Sequence, residues 1–119
     1  MNKKYLFLNS RDELLRIDID KIVYFEADGN YTNIVLSNSL KAVTCMNLSK
    51  MQKALTDKLK EEASRFVRIG KKYIINHNFI FQIHVLNQKL VLSDGENFTY
   101  ALDVSKDALR NLKELYIKK

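Results

Sequence analysis

Residues 66–76, from Phe66 to Asn76, read Phe-Val-Arg-Ile-Gly-Lys-Lys-Tyr-Ile-Ile-Asn. Apolar β-branched and aromatic residues on both sides of Gly70 are typical of two short strands with half-buried faces. Because the glycine allows a bend without steric cost, the pattern predicts a strand–turn–strand unit. Its tip carries Arg68, Lys71 and Lys72. Such cations usually form a solvated hairpin tip, and the alternative is a contact with phosphates and base edges.

The chain before this unit has the alternation of short antiparallel strands. We expect these strands at residues 5–8, 13–17, 22–27, 31–36 and 40–44. Within residues 22–27, odd-numbered side chains are expected to face one side and even-numbered ones the other. An Asp-Gly pair at Asp28 and Gly29 lies between two of the predicted strands and favours a tight hairpin.

Two helices are expected among the strands. Apolar residues recur at three- and four-residue steps at Leu48, Met51, Leu55 and Leu59, after Asn47, a good N-cap. Off that stripe, Lys50, Lys53 and Lys60 are expected to be solvated. Ser105 is expected to cap a second helix near the C-terminus.

Further strands are expected at residues 79–86, 89–92 and 97–102, with a second Asp-Gly turn before the last one. The pattern therefore predicts a mainly β protein with about nine or ten short strands and two helices. No linker-like segment or repeat interrupts it, so we expect a single domain over residues 1–119.

The amino-acid composition limits the classes of function that the protein can have. The 119 residues carry 20 Lys and Arg against 14 Asp and Glu, a formal net charge of +6, which favours an anionic partner such as nucleic acid. A single cysteine excludes an internal disulfide. No apolar run is long enough for a signal peptide or a membrane span, so a cytoplasmic location is expected.

Little in the sequence points to catalysis. His77, His84 and Cys45 lack the spacing of a metal site, and no glycine-rich phosphate loop is present. We expect no catalytic residue, no metal and no cofactor. Cys45 is expected to be a small buried side chain. Glu26, on an otherwise apolar strand, is expected either to face solvent or to fix a loop through an ion pair.

Three polar or cationic segments remain, and each adjoins a predicted element. They contain Asn30, Tyr31, Thr32 and Asn33; Arg68, Lys71 and Lys72; and Ser105 and Lys106, with Arg110 nearby. If the strands bring these segments to one edge, they would form a continuous surface for DNA. Lysine and arginine would neutralise phosphates, while Asn, Thr and Tyr would contact groove edges.

The sequence resembles a known family over essentially its whole length. Residues 22–32, Ile-Val-Tyr-Phe-Glu-Ala-Asp-Gly-Asn-Tyr-Thr, resemble the first conserved motif of LytTR-type DNA-binding domains. Phe66-x-Arg68 followed by Tyr73-x-x-Asn76 resembles the second. Residues 91–95 and 104–106 match the closing segments. Four motifs in the right order make the resemblance specific.

The resemblance implies a stack of small antiparallel sheets with one intervening helix and a C-terminal helix. It also implies transcription regulation, as in the output domains of two-component response regulators, with DNA read by loops. Family contacts fall at Thr32, at Lys71 and at Ser105 or Lys106. Where the family usually has His-Arg-Ser, this chain has Gly-Lys-Lys at residues 70–72. Asn76 is expected to be structural, with its side chain holding the following turn.

The function that we expect is sequence-specific binding of duplex DNA by a bacterial transcription regulator, either free-standing or part of a larger one. The resemblance implies direct-repeat half-sites, and we expect a monomer in solution that pairs on DNA. Two alternatives remain open. One is a protein-interaction β module with a basic surface, and the other is single-stranded RNA binding with Tyr31 and Tyr73 as stacking platforms.

Overall fold

Three antiparallel sheets and two helices make up residues 4–117, the part of the chain that the computed structural model describes. The strands are β1 (Tyr5–Asn9), β2 (Leu14–Asp18), β3 (Ile22–Asp28), β4 (Tyr31–Leu36), β5 (Lys41–Thr44), β6 (Phe66–Ile69), β7 (Tyr73–Asn76), β8 (Ile80–His84), β9 (Lys89–Ser93) and β10 (Thr99–Asp103). The helices are α1 (Leu48–Leu59) and α2 (Lys106–Ile117). The predicted mainly β fold is confirmed, while the predicted domain of residues 1–119 extends past the described residues at both ends.

The largest sheet has five strands in the order β5-β4-β3-β7-β6, and every neighbouring pair is antiparallel. Strands β1 and β2 form a separate hairpin, and β8, β9 and β10 form a three-stranded sheet. The Asp-Gly pair makes the predicted tight hairpin: Asp28 pairs with Tyr31, and Gly29 has a φ of 61°. Glycine adopts this left-handed backbone conformation without strain.

Both faces of the five-stranded sheet are buried. One face packs against α1 and the β1–β2 hairpin around Phe25, Ile34, Met51 and Ile74. The other face packs against the three-stranded sheet and α2 around Tyr73, Ile75, Leu92 and Leu109. Each large apolar side chain buried this way stabilises the fold by roughly 1.5–3 kcal/mol. With both faces covered, the turns at the strand ends remain exposed.

The predicted helix starts are confirmed. The Asn47 side chain accepts a hydrogen bond from the Lys50 backbone N–H at 2.8 Å, which satisfies one free amide of the first turn of α1. The apolar stripe of α1 is buried. In α2, the Ser105 hydroxyl oxygen accepts from the Ala108 N–H at 3.2 Å, and Leu109 and Leu112 face the core.

A β-bulge breaks the predicted alternation in β3. Ile22 pairs with Leu36 and Tyr24 with Val35, so the intervening Val23 has no partner on β4. Val23 and Tyr24 consequently pack into the same core instead of opposite ones. The expected alternation was wrong at this point because the extra residue shifts the register of the strand by one.

At two strand ends the boundary differs from the predicted one by two residues, because side chains there bond to backbone groups. Strand β8 ends at His84, whose ring nitrogen Nδ1 accepts from the Asn87 N–H at 3.2 Å and starts a turn. Strand β10 begins at Thr99 because the Asp94 carboxylate accepts from the backbone N–H groups of Glu96 and Asn97.

Cys45 is exposed, so the prediction of a buried thiol was wrong. It follows the last residue of β5, in the loop that leads to α1, where the chain leaves the sheet.

Within residues 4–117, no helix has both the length and the apolar character needed to cross a bilayer. Over the same residues, no group of three or more His, Cys, Asp and Glu side chains is placed to hold a metal ion.

Candidate nucleic-acid interface

Strand register brings two of the three predicted segments to the same end of the five-stranded sheet. On β3, Glu26 pairs with Asn33 of β4 on one side and with Tyr73 of β7 on the other. One residue further along β3, the Ala27 backbone N–H donates to the Lys72 carbonyl at 2.8 Å. The β3–β4 turn and the β6–β7 turn therefore lie side by side.

The β6–β7 turn, residues 70–72, is called the cationic turn below. Gly70 has a φ of 60°, which makes the reversal possible. Lys71 and Lys72 are both exposed. Arg68 precedes the turn on β6 and is half-buried, and its guanidinium donates to the carbonyls of Gly70 and Lys71 and to the Gln52 side chain.

An ion pair restrains Lys72. Its Nζ lies 3.5 Å from the Glu26 carboxylate and 5.5 Å from the centre of the Tyr73 ring. The neighbouring Tyr73 and the Glu26 carboxylate raise the pKa of Lys72. Of the two roles expected for Glu26, the structure shows the ion pair. The Lys72 side chain keeps 60% of its surface exposed and so stays accessible to a ligand.

Three tyrosine rings pack against one another next to the start of β7, where the cationic turn ends. The Tyr24 ring lies edge-on to Tyr73, at 5.9 Å between centroids, and to Tyr100 at 5.5 Å. Burial, with a smaller contribution from the Glu26 charge, raises the pKa of Tyr24 to about 12. Tyr73 is only 6% exposed, so it cannot serve as the stacking platform that RNA binding was expected to use.

The β3–β4 segment divides into exposed and buried residues. Asn30 is exposed in the turn, and Tyr31 is 49% exposed. Thr32 is fully buried, and its hydroxyl donates to the Met46 carbonyl at 2.8 Å. Thr32 thus exposes no surface to DNA in this conformation and instead ties β4 to the loop before α1. Asn33 is half-buried.

The third segment lies beside the cationic turn. A groove lined by Gly70 of the turn and by Ala108 and Asn111 of α2 lies between the two elements. The hydrogen bond and charge of Lys89 lower the pKa of Asp103, and the charge of Lys72 adds to that effect. Asp103, the last residue of β10, therefore lies close enough to the cationic turn for the charge of Lys72 to act on its carboxylate.

Within this third segment, the two predicted residues differ in availability. Ser105 is exposed, but its hydroxyl oxygen is already used in capping α2. Lys106 is exposed at the first position of the helix. Arg110, which the sequence placed nearby, has its guanidinium 3.3 Å from the Asp107 carboxylate. Lys106 is consequently the better placed of these cations for contact with an anion.

The sequence did not reveal how Arg68 is used. Its type and its place beside two lysines suggested a ligand contact, yet its guanidinium faces the turn and α1. Gln52, which receives one of its hydrogen bonds at 3.0 Å, lies 16 positions earlier on a different element. No local pattern links two residues so far apart, and only the packing of α1 on the sheet brings them together.

Both the sequence and the fold are similar to those of known proteins. The family model of the LytTr DNA-binding domain matches residues 12–117. A solved LytTr DNA-binding domain, from a Bacillus cereus protein described as a methyl-accepting/DNA response regulator, is similar with a TM-score of 0.62. It shares 20% sequence identity, and the match covers 96% of this chain and 97% of that chain. No curated protein gives a significant match.

The chain belongs to the LytTr DNA-binding domain family, because the family model matches nearly all of it. The resemblance seen in the sequence is therefore confirmed. Membership identifies the chain as a DNA-binding domain of the kind used in transcription regulation. The family is defined by DNA binding and not by catalysis.

Proposed function

We propose that the chain binds duplex DNA sequence-specifically and serves as the DNA-binding part of a bacterial transcription regulator of the response-regulator type. The observation that carries the proposal is the convergence of exposed cations at one end of the five-stranded sheet. Lys71 and Lys72 lie beside the β3–β4 turn and the first turn of α2, where Lys106 is exposed. Family membership supplies the class of ligand.

The individual roles follow from the exposure and restraint of each side chain. Lys71 is exposed at the centre of the cationic turn, which suits a contact with a base edge. Lys72 and Lys106 suit phosphate contacts, which position the protein without reading sequence. Asn30 and Tyr31 would contact the backbone or groove edge next to them. Thr32 and Ser105 would act indirectly, by holding β4 and α2 in place.

The protein is proposed to act in the cytoplasm, as a monomer in solution whose copies pair on direct-repeat half-sites of DNA. A second class of function, a basic protein-interaction module, would use the same cations on an acidic partner. The salt response does not separate the two classes, because both use charge. Competition between duplexes of different sequence does separate the two classes, since only a DNA-binding domain prefers one duplex sequence over others.

Selection from a random duplex pool, followed by sequencing of the bound fraction, tests the proposal. We expect enrichment of a defined site that the wild type and Lys58→Ala select equally, because Lys58 is exposed near the end of α1 that lies away from the interface. A Lys71→Ala, Lys106→Ala double variant should lose the enrichment. Recovery of unenriched sequences by the wild type would contradict sequence-specific binding.

A further inference from the structure

We propose that Arg68 and Gln52 are positioning residues, which hold the cationic turn in the conformation that meets DNA without contacting DNA themselves. The inference rests on the proposed function, since it concerns how the turn is presented to the duplex. It changes the role that the sequence suggested for Arg68. It also gives α1, which carries none of the predicted contact residues, a part in recognition.

The guanidinium of Arg68 connects two backbone carbonyls and one side chain through hydrogen bonds. Its Nε donates to the Gly70 carbonyl at 2.9 Å, and its Nη2 donates to the Lys71 carbonyl at 3.3 Å. Its Nη1 donates to the Gln52 side-chain oxygen at 3.0 Å. One planar group thus fixes two consecutive carbonyls of the cationic turn and anchors them to α1.

Strand geometry explains why Arg68 faces α1. Side chains two residues apart on a strand share a face, and Phe66 packs against the core that contains α1. Arg68 therefore emerges on the same face, near Gln52 in the second turn of the helix. Ile69, on the opposite face, enters the other core.

The cationic turn needs such an anchor. Its three residues are exposed, and Gly70 is the most flexible residue type for a backbone. Ordering the backbone of each residue costs conformational entropy. A turn that is already ordered in the free protein does not pay this cost when DNA binds, so its affinity is higher.

Salt dependence separates a positioning residue from a phosphate contact. Every phosphate neutralised by a lysine or arginine contributes about −0.9 to the slope of log K against log salt. If Arg68 only positions the turn, Arg68→Gln lowers affinity but leaves that slope unchanged. If Arg68 touches a phosphate, the same substitution makes the slope shallower by about one. Lys72→Ala provides the comparison for a true phosphate contact.

The experiment combines DNA titrations with backbone dynamics of the free protein, measured by the heteronuclear NOE of residues 70–72. We expect Gln52→Ala to lower affinity for the selected duplex about three- to tenfold and to lower the NOE of these residues. Gln52→Glu, which keeps the acceptor, should stay within twofold of the wild type. The matched control is Gln82→Ala, an exposed glutamine on β8, which should change neither quantity.

Each result shows whether Arg68 and Gln52 position the cationic turn. Unchanged turn dynamics and affinity in Gln52→Ala would overturn the inference, and so would a slope made shallower by about one in Arg68→Gln. Gln52 is exposed on α1, so its variants should fold even if Arg68→Gln is unstable. A wild-type protein that bound no duplex DNA would overturn the proposed function, and the NOE measurement would still show whether Arg68 and Gln52 order the turn.

Discussion

Asn76 shows how one buried amide serves two parts of the chain. It is 1% exposed, and its side-chain nitrogen donates to the Ile22 carbonyl at 2.9 Å. Its side-chain oxygen accepts from the Asn78 backbone N–H at 3.0 Å, at the start of the turn after β7. The sequence predicted that this side chain would hold the following turn, and the structure confirms it. The bond to β3 was not foreseen.

Asn76→Ala should lower the free energy of unfolding by about 2–4 kcal/mol, because it leaves a buried carbonyl and a partly buried N–H without partners. Chemical denaturation at neutral pH measures this. Asn38→Ala is the control, since Asn38 is exposed and makes one hydrogen bond to the Leu40 N–H. Its effect should be below about 1 kcal/mol. Equal effects of the two substitutions would contradict the structural role.

Lys71 and Lys72 are neighbours with different expected roles. Lys71→Ala should weaken the preferred site more than random duplex, by roughly 1–3 kcal/mol, because a base contact is lost. Lys72→Ala should weaken both ligands equally, because phosphates are the same in every sequence. Titrations of each variant with both duplexes measure the difference, with Lys58→Ala as the charge-matched control. Equal losses at both sites from Lys71→Ala would show that Lys71 does not read sequence.

Among the elements, the loop between β9 and β10 depends on one carboxylate. Asp94 accepts hydrogen bonds from the backbone N–H groups of Glu96, Asn97 and Phe98 and from the Asn97 side chain. Led by the Glu96 N–H, these donors lower the pKa of Asp94 from its ordinary 3.8 to about 2. The stabilisation is present above pH 4 and is lost as the pH falls towards 2.

Asp94→Ala should therefore lower the melting temperature at pH 7, and its difference from the wild type should shrink between pH 4 and pH 2. Thermal unfolding followed by circular dichroism across this range measures the difference. Asp57→Ala, on the exposed side of α1, is the control and should show a much flatter difference. A difference between Asp94→Ala and the wild type that stayed constant down to pH 2 would contradict the assigned role of the carboxylate.

Elements with local signals could be predicted, and features that depend on distant contacts could not. The Asp-Gly hairpin and the Asn47 cap have sequence signals within four residues, and both were predicted. The bulge in β3 has no such signal, because it depends on how β4 pairs with that strand. The burial of Thr32 likewise depends on the Met46 carbonyl, 14 residues away. For the same reason, the sequence could not predict that the guanidinium of Arg68 faces the turn and α1.

At the scale of the whole molecule, the fold is a frame that fixes three loops at one end. The five-stranded sheet is packed on both faces, so the turns at its end are held by two cores. The chain also carries a formal net charge of +6, which favours encounter with DNA from any direction. In the proposed function, sequence readout then depends on the few cations at this end of the sheet.

The proposed pairing of two copies on DNA involves the whole domain. We expect a monomer in solution, and two copies bound with modest cooperativity on a probe with two direct-repeat half-sites. Spacing near a whole number of helical turns places both copies on one face of the duplex. Sedimentation of the free protein and gel shifts on one-site and two-site probes measure this. A stable dimer without DNA, or indifference to inserting half a helical turn, would contradict it.

The exposed cations at one end of the sheet are proposed to bind the phosphates of duplex DNA. Titration of the selected duplex at several salt concentrations, beside a single strand of the same sequence, tests it most directly. With about five phosphates neutralised, the slope of log K against log salt should lie near −4 to −5, and the duplex should bind more tightly than the single strand. A flat salt response or a preference for the single strand would show that these cations do not bind duplex DNA through its phosphates.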